Sequence, residues 1–86
     1  MKDPKIKMLV LDVLKHHLPS LPDFASFLIE FEGLTRIEIT LVEMDERTDS
    51  LKIVLNGTTI NYDTLKEYMG KAGAVIHSVD HVIVEK

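Results

Sequence analysis

The apolar residues of this chain repeat with two different periods, and the order in which the periods alternate fixes what it can fold into. Residues 5–14, Lys-Ile-Lys-Met-Leu-Val-Leu-Asp-Val-Leu, form an apolar run closed by Lys15-His16-His17-Leu18-Pro19. Its length and its Val, Leu and Ile content suit a strand better than a helix. The phase Leu9, Leu11, Val13 is wholly apolar and is placed toward the helices, which leaves Met8, Val10 and Asp12 on the other face. Ser20-Leu21-Pro22-Asp23 then has the form of a capping box, with Pro22 in the first turn where no helical donor is lost. Phe24, Phe27, Leu28 and Phe31 follow at i, i+3, i+4 and i+7, one face of an amphipathic helix, and Gly33 supplies a stop. This predicts a helix over 21–32.

Period two returns in residues 35–45. Ile37, Ile39 and Leu41 face one side, and Glu38, Thr40, Val42 and Met44 the other. The polar stretch Glu46-Arg47-Thr48-Asp49-Ser50 turns the chain, and Leu51, Ile53 and Leu55 alternate with Lys52 and Val54 up to Asn56-Gly57. Asn61 caps a second helix through Lys71, with Leu65, Met69 and Ala72 on one face. The β-branched segment 74–84 makes a fourth strand. The order is βαββαβ. With right-handed crossovers this is an α+β, ferredoxin-like sandwich: a four-stranded antiparallel sheet with two helices on one face. At 86 residues, with no linker or repeat, the expectation is a single domain over 1–86.

The opposite sheet face is bare in a monomer. By this phase it shows Met8, Val10, Val42, Met44 and Val54, diluted by Asp12, Glu38, Thr40 and Lys52. A contiguous patch of this kind on a small domain meets a partner, and the expected partner is the chain itself, in a homo-oligomer larger than a dimer.

Composition excludes several classes. There is no Cys, hence no disulfide, thiolate zinc site or iron–sulfur cluster. Ten Lys and Arg against fourteen Asp and Glu give a net charge of −4, the wrong sign for a nucleic-acid partner. The five aromatics all fall on the predicted helices, so the sheet has no base-stacking platform. No apolar run approaches the ~20 residues of a membrane span. The expected setting is cytoplasmic, with no membrane partner.

Four histidines raise a metal reading. His77 and His81 are four apart on an extended strand, which separates them by ~13 Å, too far for one ion. Asp12 is a carboxylate within an apolar strand, and Asp80 lies in the strand expected beside it. A buried carboxylate needs a partner, such as Lys15, a histidine or backbone N–H groups. Asp12, His77, Ser78 and Asp80 are therefore the candidate ligand-binding constellation. Glu43 and Asp45, two apart on one strand, project to the same side about 6–7 Å apart. With Glu46 and Asp49 nearby they are candidate oxygen ligands for Ca²⁺ or Mg²⁺, against the plainer alternative of a charged hairpin tip that keeps the sheet end soluble. No nucleophile elbow surrounds any serine, and the four glycines are scattered singly rather than forming a phosphate loop. Catalysis is not expected, and no catalytic residue is assigned.

The segments Leu9-Val10-Leu11-Asp12-Val13-Leu14-Lys15-His16-His17, Ile39-Thr40-Leu41-Val42-Glu43-Met44-Asp45-Glu46-Arg47-Thr48 and Ile76-His77-Ser78-Val79-Asp80-His81-Val82 resemble a small archaeal family named as a domain of unknown function, DUF two-eleven. The resemblance runs over nearly the whole chain, and Ile76-His77-Ser78-Val79-Asp80 is its most specific part. It implies a ferredoxin-like fold and a cytoplasmic archaeal protein in a ring-like homo-oligomer, and it implies no reaction. The leading functional reading is a homo-oligomeric binding or regulatory module. The alternative is a small metal-dependent protein or enzyme using Asp12, His77 and Asp80, or Glu43 and Asp45.

Overall fold

The computed structural model describes residues 4–86. Six elements follow one another: β1 (Lys5–His16), α1 (Leu21–Ile29), β2 (Leu34–Met44), β3 (Thr48–Gly57), α2 (Tyr62–Gly70) and β4 (Ala74–Glu85). The strands form one antiparallel sheet in the order β2-β3-β1-β4, the βαββαβ arrangement of a ferredoxin-like sandwich. Leu9, Leu11 and Val13 of β1 and Leu51, Ile53 and Leu55 of β3 point to one face. There they pack with Phe24 and Leu28 of α1 and Leu65 and Met69 of α2, all buried.

The helices start where the side chains can cap them. Ser20 Oγ accepts from the Asp23 N–H, and Asn61 Oδ1 accepts from the Thr64 N–H, each relieving one orphan donor. The first helix ends at Ile29, three residues short of the predicted end. The chain then tightens through Glu30 N–H to the Phe27 carbonyl and Phe31 N–H to the Leu28 carbonyl, a narrower last turn. Phe31 thereby leaves the helix but keeps its contact: it lies 5.2 Å from the Tyr68 ring, and Phe27 stacks on the same ring at 4.4 Å. Tyr68 also donates its hydroxyl to the Phe27 carbonyl at 2.7 Å, so one α2 side chain fastens both helices together.

Gly33 and Gly57 are where the two backbones come closest. Gly33 has φ +95°, its carbonyl accepts from the Thr58 N–H at 2.9 Å, and a Cβ on it would overlap the Thr59 carbonyl oxygen. Gly33→Ala is therefore expected to cost about 1–3 kcal/mol in a urea melt, as overpacking on a backbone that cannot yield. Gly70→Ala, where nothing lies within 4 Å, is the matched control and should not destabilise.

Strands and helices are badly matched in length. Strands β1 and β4 have 12 residues each, roughly 40 Å of extended chain at ~3.3 Å per residue, whereas a nine-residue helix is only ~14 Å long at 1.5 Å per residue. The molecule is accordingly 49 Å long and 22 by 18 Å across. The sheet outruns its helices, and residues 41–44 of β2 and 79–85 of β4 meet solvent on both faces.

Irregular pairing corrects two details of the sequence phase. The register between β2 and β3 shifts after Leu41, so that Glu43 stands opposite Ser50 and Met44 opposite Asp49. Val42 falls in the shift, and Met44 moves into the helix-side phase, off the bare face of Met8, Val10 and Val54. In β4 the register slips past Asp80 and again past His77, so a uniform strand spacing does not apply between His77 and His81.

Candidate functional site

The most highly organised polar cluster lies where β1 leaves the sheet. Lys15 continues the inward phase of Leu11 and Val13, so its side chain enters the core and is only 1% exposed. Its ammonium donates to the carbonyls of His16 at 2.6 Å, His17 at 3.3 Å and Pro19. An ammonium has three donors, and the chain's own turn takes all three. Asp49 Oδ2, at 3.8 Å, is beyond hydrogen-bond range and balances the charge through space. The ring of Phe24 lies 5.7 Å from the same nitrogen. Burying a cation here is tolerable because carbonyl dipoles, a carboxylate and an aromatic face surround it.

Asp49, 4% exposed, is held on its other oxygen by His17, whose Nδ1 lies 2.9 Å from Oδ1. The second ring nitrogen, Nε2, lies 2.9 Å from the Glu46 carbonyl in the β2–β3 turn. Both partners accept, so the ring satisfies both contacts at once only when it carries a proton on each nitrogen. The Glu46 carbonyl, and after it the Asp49 carboxylate, raise the His17 pKa above 6.5; partial burial and the Lys15 charge work against them. Sequence alone places Asp49 in a polar turn and offers Lys15 to Asp12. In the structure Thr48, Asp49 and Ser50 belong to β3, and Lys15 turns away from Asp12 to Asp49.

Asp12 stands at the centre of the open face, half-buried, opposite Lys52 of β3 on one side and Ser78 of β4 on the other. Ser78 Oγ donates to Asp80 Oδ1 at 2.8 Å. The pairing therefore places Asp12 and Ser78 side by side and ties Ser78 to Asp80, while exposed His77 sits in the register slip beside them. At the hairpin, Glu43 pairs with Ser50, and Asp45 lies beyond the end of β2. The Asp45 carboxylate accepts from the Glu46 N–H at 2.5 Å, and the Asp45 N–H donates to the Thr48 carbonyl at 2.8 Å. One Asp45 oxygen thus shapes the turn. Among the described residues no three His, Cys, Asp or Glu side chains gather as a metal-binding group.

Exposed apolar side chains gather on the two edge strands of the sheet. Val75, Val79, Val82, Ile83 and Val84 of β4 are all exposed, on a strand that among the described residues pairs with β1 alone. At the opposite edge Leu41, Val42 and Met44 of β2 are exposed too. Among the described residues no helix is long and apolar enough to cross a membrane.

Fold and sequence together define a ferredoxin-like α+β sandwich with an open sheet face, and comparison with known proteins gives its kinship. The chain belongs to the DUF211 family, described as an uncharacterized ArCR, which matches residues 7–86. It is similar to Uncharacterized protein MJ0319 of the archaeon Methanocaldococcus jannaschii, at 33% identity over 81 residues, 94% of this chain and 84% of that protein.

Proposed function

We propose that this protein is a homo-oligomeric binding module of the cytoplasm, assembled through the bare β4 flank, with its ligand contacts on the open sheet face. The observation that carries the reading is the length mismatch. Strands of roughly 40 Å under helices of ~14 Å leave β4 a 12-residue edge with five exposed aliphatic side chains on both faces. An edge of this kind presents unpaired backbone groups beside apolar surface, and a second copy covers both at once. Charged residues near this edge are few: between Ala74 and Val84 the only formal charge is Asp80, which the register slip takes out of the ladder. On the open face, Asp12, Lys52, Ser78 and Asp80 supply acceptors, a donor and both charges within an apolar surround, the composition of a site for a small polar ligand.

Light scattering on the native protein at micromolar concentration is expected to give a mass larger than a dimer. Ile83→Lys with Val84→Lys, which places cations along the edge, should lower that mass to the monomer without unfolding the chain. A monomer before substitution would sink the assembly reading. For the ligand half, a melting screen over a metabolite panel should yield a compound that raises the Tm of the native protein and not of Asp12→Asn.

A further inference from the structure

We propose that His17 is a proton-operated latch: its charged ring ties the β2–β3 turn to the segment after β1, and its neutral ring releases the turn while keeping Asp49. The geometry forces the asymmetry. Nδ1 faces Asp49 Oδ1 and Nε2 faces the Glu46 carbonyl, each at 2.9 Å. Only the imidazolium satisfies both, because a neutral ring has one N–H and one lone pair. When the proton leaves, the remaining N–H stays where it gains more, on Nδ1 toward the buried carboxylate, since a hydrogen bond to a charged acceptor is about twice as strong as one to a neutral carbonyl. The Nε2 lone pair then faces the lone pairs of the Glu46 oxygen, and that contact becomes repulsive.

The charged groups facing the ring are Asp49 from β3, which favours the cation, and Lys15 from β1, which opposes it; Phe24 of α1, at the same cluster, is uncharged. With its Glu46 tether gone, the turn keeps its own closures, the Asp45–Thr48 backbone bond and the Asp45 carboxylate on the Glu46 N–H. It therefore moves as an intact tip rather than fraying, and it carries exposed Arg47 with it, while Met44 stays paired with Asp49. Because the folded-state pKa of His17 is raised above 6.5, the latch stabilises the fold fully below that value and fades as the pH rises through the folded pKa.

The test is nuclear magnetic resonance on the native protein from pH 5.5 to 9. The His17 ring is expected to titrate with a midpoint above 6.5, and its neutral form to carry the proton on Nδ1. The amides of Glu46, Arg47 and Thr48 should shift with that same midpoint. Trypsin cleavage after Arg47, divided by the rate on a matching free peptide at each pH, should rise severalfold across the transition. In His17→Gln, which has one amide donor and one carbonyl acceptor, neither the shift nor the rise should occur. Turn amides that ignore the His17 midpoint, a neutral ring protonated on Nε2, or the same rise in His17→Gln would each overturn the proposal. The ring and amide titrations need only the native chain, so they decide the matter even if the variant folds poorly.

Discussion

Replacing Lys15 by Met is expected to remove about 3–5 kcal/mol of stability, the cost of breaking a buried pair and leaving its partners uncompensated. Met nearly conserves the volume and the apolar stem, so the loss reports the ammonium. Three turn carbonyls, of His16, His17 and Pro19, lose their donor, and Asp49 loses the cation 3.8 Å away while remaining 4% exposed. For a domain whose whole stability is on the order of 5–15 kcal/mol, this brings the fold near its limit. Urea melts of the native chain, Lys15→Met, Asp49→Asn and the double variant separate the contributions. The double variant should cost less than the two single losses added together, because the Lys15–Asp49 attraction can be lost only once, and it should not recover the native stability, because the carbonyls are still unmet and His17 has lost its carboxylate. A loss below about 1 kcal/mol for Lys15→Met would mean that water reaches those carbonyls and that the cluster is a surface pair, whose ordinary value is that small.

The fold is legible because each element announces itself by a different local rule and the rules agree. Alternating Ile37-Glu38-Ile39-Thr40 marks a strand, the Phe24, Phe27, Leu28 spacing a helix, and Ser20 and Asn61 stand where caps are needed. Given four strands and two helices in that order, handedness leaves little choice of topology. What escapes is what depends on pairing rather than on local pattern. A strand whose register slips by one residue changes the face of everything beyond the slip, and nothing in Leu41-Val42-Glu43 or in Ile76-His77-Ser78-Val79-Asp80 declares where the extra residue goes. Simple alternation therefore puts Met44 on the wrong side.

The polar cluster at the end of β1 is the least legible part, for a related reason. Lys15 sits in the inward phase, two residues after Val13, but a lysine following an apolar run ordinarily marks a strand's exit into water. Asp49, between Thr48 and Ser50, has the composition of a turn. Each looks like surface, and only the β1–β3 pairing, which places Lys15 opposite Asp49, brings the two together as a buried pair. The signal in the sequence is the phase itself. Extending Leu9, Leu11, Val13 by one step reaches Lys15, and extending Leu55, Ile53, Leu51 backward by one step reaches Asp49, so opposite charges close the same inward row from neighbouring strands. Asp12 reads as the buried charge because its sequence neighbours are apolar; its phase points it instead to the open face, between Lys52 and Ser78.

The Phe24 ring joins that cluster to the core, and its removal is the second large effect expected. Phe24 is fully buried between α1 and the sheet, and Phe24→Ala should cost about 3–5 kcal/mol by the loss of its buried area and the cavity left behind. The ring has a second role that Ala alone does not isolate, since the Lys15 ammonium lies 5.7 Å from its centroid. Phe24→Leu separates the two, because it restores most of the volume and none of the quadrupole. If burial is all that matters, Phe24→Leu costs less than about 1.5 kcal/mol, and the same amount in the native chain as in the Lys15→Met background. If the ring also stabilises the charge, Phe24→Leu costs up to about 2 kcal/mol more with Lys15 present than in that background, the range of a desolvated cation–π contact. The four melts of native, Phe24→Leu, Lys15→Met and the double variant give that difference directly. A coupling near zero would leave the three carbonyls and Asp49 as the whole of what holds the lysine in the core, with Phe24 acting as packing beside it.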